Sequence, residues 1–183
     1  MNNIEQDIIR RCQQGDRQAF RAVVEKYQQM VFTLAFRMLC NEDDAKDVTQ
    51  DTLIRVWLNF ARYDATQSLS TWIYTIASHL CLDRLRHDSR TIPLPDDDEQ
   101  LLHFASEGDA SSHLENEELG AVLRSLVQRL SPKQRLVFTL SQFEGLQSSE
   151  IEKITDLSAD QVKSNLWLAR KAIREHLKRL GYE

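Results

Sequence analysis

Apolar residues in this chain recur three and four positions apart rather than two, and that spacing constrains the fold more than any other feature. Such a period places apolar side chains on one face of a helix, whereas a strand would alternate them. With only five glycines and three prolines in 183 residues, few positions interrupt helices, and no convincing strand run appears. An all-α architecture is therefore expected. The 42% hydrophobic content suffices for a core in one medium domain or in two small ones.

Charge divides the chain further. Residues 1 to 92 carry twelve basic and twelve acidic groups, residues 93 to 118 carry nine acidic and no basic ones, and residues 119 to 183 carry eleven basic against seven acidic. The net charge of −5 thus conceals a basic C-terminal module behind an acidic connector. Together these features predict two small helical domains, 1–92 and 119–183, joined by a flexible acidic linker over 93–118. The Pro93-Leu94-Pro95 run and the Gly108-Asp109-Ala110-Ser111-Ser112 segment lie in that linker.

Within the first module, Ile4, Ile8, Ile9 and Cys12 outline a helix that Gly15 stops. Asp16 is placed to cap a second, with a stripe from Phe20 to Met38, and Asn41 to cap a third whose first turn, Glu42, Asp43 and Asp44, faces the positive helix end. The segment 62–70 breaks the period, after which Ser70 is expected to cap a fourth helix carrying Trp72, Ile73, Ile76, Ala77, Leu80 and Leu85. In the second module, Ser131-Pro132 with Gln134 reads as a capping box with proline at the first helical position. Two helices around a tight turn follow. Ser158 with Gln161 caps the last, whose Val162, Leu166, Ala169, Ile173, Leu177 and Leu180 form the inward stripe.

Lys163, Asn165, Arg170, Lys171, Arg174 and Lys178 lie off that stripe. Long basic side chains neutralise phosphates, whereas Asn, Ser and a well-held Arg can bond base edges. A helix-turn-helix that binds DNA is therefore expected, in preference to a merely solvated basic face. In the first module, Asp43, Asp44, Asp47 and Asp51 recur along one side of the third helix. No nucleophile, metal-ligand set or phosphate loop accompanies them, so a docking face for a protein is the better reading than acid-base catalysis. Trp72 with Tyr63 and Tyr74, and with His79, Arg84, Arg86 and Arg90 beyond, could meet unpaired bases, although Trp72 itself is expected in the core.

Cys12, Cys40 and Cys81 are scattered, with no CxxC, so neither a zinc site nor a disulfide framework is expected, and no catalytic residue, metal or cofactor is assigned. No apolar run approaches ~20 residues. A cytoplasmic protein without direct membrane insertion is expected.

The blocks N41-E-D-D-A-K-D-V-T-Q-D-T-L-I-R-V-W57, L69-S-T-W-I-Y-T-I-A-S-H-L-C-L-D-R-L-R86, L130-S-P-K-Q-R-L-V-F-T-L140, E144-G-L and E150-I onward through V162-K-S and A169-R-K occur in an order that resembles the extracytoplasmic-function (ECF) sigma factors of the sigma-seventy family. The resemblance covers nearly the whole chain except the connector. It implies a promoter-specificity subunit that binds core RNA polymerase through Asp47, Gln50, Asp51 and Trp57. It further implies that Tyr63, Asp64, Leu69, Trp72, His79 and Arg86 serve the melted minus-ten element, with residues 64 to 69 forming the base-capturing loop. Ser158, Lys163, Ser164, Asn165, Arg170 and Lys171 would serve the minus-thirty-five duplex. Core polymerase, promoter DNA and an anti-sigma factor are the implied partners.

Several residues depart from the family pattern. His79 stands for asparagine and Leu69 for phenylalanine; Glu152 replaces a small alanine between the paired helices, Asp156 a turn glycine, and Asn165 and Leu168 basic residues. Glu152 is expected to widen or shift the packing of the helix pair, while Asp156 can tolerate a left-handed backbone. The competing expectation is a DNA-binding transcriptional regulator with an N-terminal dimerisation or sensing domain, which would hold a duplex operator without polymerase.

Overall fold

The computed structural model describes residues 3–91 and 125–179, all helical or connecting. The proposed 93–118 linker therefore lies outside the described residues. Helix α1 (Asn3–Gln13) ends at Gly15, whose φ of 82° only glycine adopts without strain. Asp16 then accepts from the backbone N–H of Gln18 and Ala19 and starts α2 (Arg17–Leu39). Asn41 caps α3 (Glu42–Asn59) by accepting from the Asp44 N–H. A 3₁₀ turn, Phe60–Arg62, and an irregular loop lead into α4 (Leu69–Thr91).

Ser68, rather than Ser70, caps α4. Its hydroxyl accepts from the Thr71 N–H at 3.1 Å, because the helix begins two residues earlier than a Ser70 cap implies. Residues 125–128 are helical, and Ser131 and Gln134 close the expected capping box on α5 (Pro132–Phe138), which continues as a π-helical turn, Thr139–Phe143. Helix α6 (Ser148–Thr155) ends at Asp156, whose φ of 55° is the left-handed conformation that the family's glycine would adopt; α7 (Ala159–Arg179) follows. Glu152 is half-buried, and the pair nevertheless closes over buried Ile151, Ile154 and Val162.

Buried Val31, Leu34, Ala35, Met38, Val56, Phe60 and Ile73 centre the first unit. The two helical units do not stand apart. One apolar cluster runs from that core into Leu136, Val137, Leu140, Ile151, Ile154 and Val162 of the second. Polar contacts join them as well. The Arg135 guanidinium, 7% exposed, donates to the Met38 carbonyl oxygen at 2.7 Å and to that of Gln128 at 2.5 Å. Glu144 accepts from Arg37 at 2.6 Å and from the buried Tyr74 hydroxyl at 2.7 Å. The sequence reading anticipated none of these, since each residue alone looks like an ordinary helix surface position.

This contact is imperfectly satisfied. Arg135 Nε and the Ser78 hydroxyl are buried without a hydrogen-bond partner, and a buried orphan of this kind costs about 1–3 kcal/mol. The closed arrangement therefore combines a continuous apolar seam with polar groups that would gain by rehydration.

Candidate polymerase and DNA faces

Along α3, residues Ala45, Val48, Thr52 and Val56 turn inward, which leaves Asp47, Gln50 and Asp51 exposed on the opposite side. Trp57 is half-buried, its ring 4.9 Å from that of Phe20. The same outer side carries Ile54 and Leu58, 48% and 72% exposed. Neither was singled out from sequence. Both follow Asp47, Gln50 and Asp51 at helical spacing, so the signal was the continuation of a polar face into two aliphatic residues. Isolated exposed aliphatics are ordinary, but two in line beside carboxylates and an amide make a face suited to a protein partner.

Between the end of α3 and α4 lies a groove of about 350 Å³ lined by Arg55, Asn59, Arg62, Trp72, Ile76 and His79. Trp72 is half-buried rather than enclosed in the core. Its inner side meets Phe60 edge-on at 5.7 Å and Tyr63 at 4.8 Å, while the remainder faces the groove. Such a site offers an apolar ring together with two guanidiniums and an imidazole. That chemistry suits an unstacked base and its phosphate.

Tyr63 and Leu69 occupy a different place from the one expected. They are 4% and 3% exposed, so neither offers a surface to DNA in this arrangement. The Tyr63 hydroxyl donates to the Gln67 carbonyl oxygen at 2.6 Å, and its own carbonyl accepts from Gln13 at 3.0 Å; the ring braces the 63–68 loop from within. Burial pushes its phenol up to about 12. Asp64 is exposed but occupied locally, with one carboxylate oxygen accepting from the Thr66 N–H and the other from its hydroxyl, contacts that hold its carboxyl below the usual range. His79 and Arg86 are exposed, Arg86 paired with Asp83 at 3.0 Å.

On α7, the Ser158 hydroxyl accepts from the Gln161 N–H at 3.3 Å, and the Ser158 N–H donates to the Gln161 side chain at 3.0 Å. Val162 and Ala169 are buried, and Lys163, Ser164, Arg170 and Lys171 are exposed. Asn165 is half-buried, and its amide donates to the Gln161 carbonyl oxygen at 2.7 Å. That bond removes one donor from base recognition. Trp167, 62% exposed, and Leu168, 39% exposed, were not identified from sequence as surface residues.

The candidate surfaces of the two units are adjacent in this arrangement. A second cleft, about 340 Å³, has Ser78, His79, Leu82 and Arg86 of α4 on one side and Ile154 to Leu157 with Gln161 on the other. The turn of the helix pair thus sits against the same helix that carries Trp72. Among the described residues, no group of three or more His, Cys, Asp or Glu side chains is placed to hold a metal ion, and no helix is long and apolar enough to cross a membrane.

With this geometry the chain matches two family models, sigma-70 region 2 over residues 23–91 and sigma-70 region 4 over residues 121–173. The first contains the groove and the α3 face, the second the helix-turn-helix. The protein belongs to the sigma-70 family, whose members direct RNA polymerase to promoters.

Within that family it is an ECF sigma factor. It is 29% identical over 179 residues to the ECF RNA polymerase sigma factor SigW of Bacillus subtilis, spanning 94% of this chain and 96% of the relative. It is 27% identical over 183 residues to the RNA polymerase sigma-H factor of Pseudomonas aeruginosa, spanning 96% and 95%. The fold is shared with CnrH, solved in complex with the cytosolic domain of CnrY, at a TM-score of 0.72 and 19% identity over 97% of this chain and 99% of that one. It is also shared with the sigma factor RpoE of Bartonella quintana, solved with the anti-sigma factor NepR, at 0.65 and 20% over 87% and 96%.

Proposed function

We infer that the chain performs its promoter-directing role through three faces. The α3 side, Asp47, Gln50, Asp51, Ile54 and Leu58 with the rim of Trp57, docks on core polymerase. The groove around Trp72, with His79 and Arg86 on α4 and the loop at Asp64, takes the minus-ten element as single strand. Tyr63 and Leu69 hold that loop from inside. Helix α7 reads the minus-thirty-five element as duplex, with Ser158 fixing its start and Lys163, Ser164, Arg170 and Lys171 facing the DNA. Asn165 contributes through the part of its amide that Gln161 leaves unused. Domain boundaries near 92 and 119 follow from the same reading.

Two exposed aliphatics on the polar side of α3 carry this inference. A stand-alone duplex-binding regulator gives Ile54 and Leu58 no role, whereas a subunit of a larger assembly buries them. The energetic logic is consistent. Strand separation is favourable only where unpaired bases gain compensating contacts, and a half-exposed tryptophan flanked by guanidiniums offers them. No nucleotide hydrolysis is required of the chain.

The closed arrangement has a functional consequence. The two elements lie about 25 base pairs apart, or about 85 Å at 3.4 Å per pair, and α4 in contact with α6 cannot serve both. Separation is needed, and the 33 residues between the described units reach at most about 110 Å. Polymerase binding therefore selects an open chain, and an anti-sigma factor acts by competing for the α3 face or by holding the units in a form unable to engage polymerase. Co-elution with core polymerase at low and moderate salt tests the reading; a chain that stays free of core at both would overturn it.

A further inference from the structure

Trp167 has no role in the fold described above. At 100° per residue, Val162, Leu166, Ala169 and Ile173 define the inward stripe of α7, and Trp167 falls on the far side in line with Ser164 and Lys171, three positions before it and four after. Its indole is 62% exposed. The Lys171 ammonium stands 5.4 Å from the ring centroid, a cation–π distance that steadies the ring on the helix surface. Lys163, Arg170 and Arg174 are exposed nearby. A large apolar ring is thus held on a predominantly basic helix face, which also carries exposed Asp160 and, 3.9 Å from the Lys171 ammonium, Glu175.

The surroundings narrow what such a ring can meet. Basic residues on either side suit two phosphate backbones, and the surface between them is a major groove. Among the base edges displayed there, the thymine 5-methyl group is the apolar feature. Of the short polar side chains on this face, Ser164 has limited reach and Asn165 is tied to the Gln161 carbonyl oxygen.

We propose that Trp167 is a specificity-determining residue that reads a thymine 5-methyl group in the minus-thirty-five duplex by apolar contact. Lys171 remains at the ring and directs its charge to the phosphate backbone. This rests on the reading of α7 as the duplex-reading helix and deepens it by assigning the chemical feature recognised.

The test uses full-length protein with core polymerase on the promoter it selects, with each thymine of the upstream element replaced in turn by deoxyuridine. That exchange removes one methyl group and preserves pairing. Wild-type holoenzyme is expected to lose about fourfold in promoter affinity at one position, the factor that corresponds to about 0.8 kcal/mol for a buried methyl. Trp167→Ala should bind more weakly and be indifferent to deoxyuridine at that position, and Trp167→Phe should recover part of both properties. Unchanged thermal stability of Trp167→Ala separates recognition from folding.

Equal sensitivity to deoxyuridine in wild type and Trp167→Ala overturns the proposal, as does insensitivity of the wild type at every thymine. Weakened core binding by Trp167→Ala, with the methyl dependence intact once core is saturating, assigns the residue to a protein contact and likewise overturns it. Failure of the wild type to depend on any upstream element would instead refute the assignment of α7 itself, a result visible before any thymine is altered.

Discussion

Replacing Glu144 should release the two helical units from each other. One of its carboxylate oxygens accepts from Arg37 and the other from Tyr74, and its side chain is 11% exposed against 36% for Arg37. In Glu144→Ala the Tyr74 hydroxyl, in a residue 7% exposed, loses its acceptor at a cost of about 1–3 kcal/mol if it stays buried. Loss of the partly solvated ion pair adds about 1 kcal/mol after screening. The low end, about 2 kcal/mol, raises the ratio of open to closed chains about 30-fold. Glu144→Gln keeps an acceptor for Tyr74 and forfeits the charge, so about fivefold is expected.

Energy transfer between dyes on cysteines introduced at Arg21 and Lys153, both exposed, reads this ratio directly in a Cys40→Ser background. Efficiency should fall in the order wild type, Glu144→Gln, Glu144→Ala, while circular dichroism stays constant. Equal efficiency in all three would refute the reasoning, because it would mean that the apolar seam alone sets the arrangement.

Introducing charge on the apolar part of the α3 face, Leu58→Glu with Ile54→Glu, should weaken core binding by at least tenfold and shift the melting temperature by less than about 2 °C, since both side chains are exposed; a large loss of stability would instead place them in the fold. Alkaline titration should find the Tyr63 phenol near about 12, raised by burial. A folded value above the unfolded one of about 10 means that its contribution to stability is complete below pH 10 and lost between pH 10 and 12, which urea melts across that range will show or fail to show. Thiol alkylation should modify half-buried Cys40 first. Cys12 and Cys81, pushed by burial up to about 11 and about 12, should react only on unfolding, and early labelling of Cys81 would contradict the packing of α4. Asp156→Gly should stabilise by about 0.5 kcal/mol, because the left-handed backbone at φ 55° favours glycine, provided that the lost side chain offsets little; a melt shifted downward would show that the aspartate makes a compensating contact.

Helices were legible in the sequence because their signals are local. Asp16, Asn41, Ser131 and Ser158 announce starts through side-chain oxygens that need only nearby N–H groups, and Gly15 and Asp156 stop helices through their own backbone. The pattern pointed to Ser70 rather than Ser68 because two serines that flank one leucine are equally able to cap, and the packing of buried Leu69 selects between them.

Tertiary features were legible only in part. The polar members of the α3 side stood out in the sequence, whereas Ile54 and Leu58 did not, because an aliphatic residue in a helix has no signature of exposure until the helix is placed against α2. Tyr63 could have been a loop aromatic or a core one, and the ring contacts with Phe60 and Trp72 that bury it join residues from three segments. The contact between units was invisible for a related reason. Arg135, Glu144, Arg37 and Tyr74 are separated by up to 107 positions, and a buried guanidinium has no sequence signature distinct from that of an exposed one.

Selection of promoters from a randomised linear library by holoenzyme reconstituted from core polymerase and this chain tests the central claim most directly. Transcripts should start downstream of templates enriched for two elements, and Leu58→Glu should abolish the enrichment. A library transcribed at random, or enriched for one palindromic site that the chain binds equally well without polymerase, would contradict it.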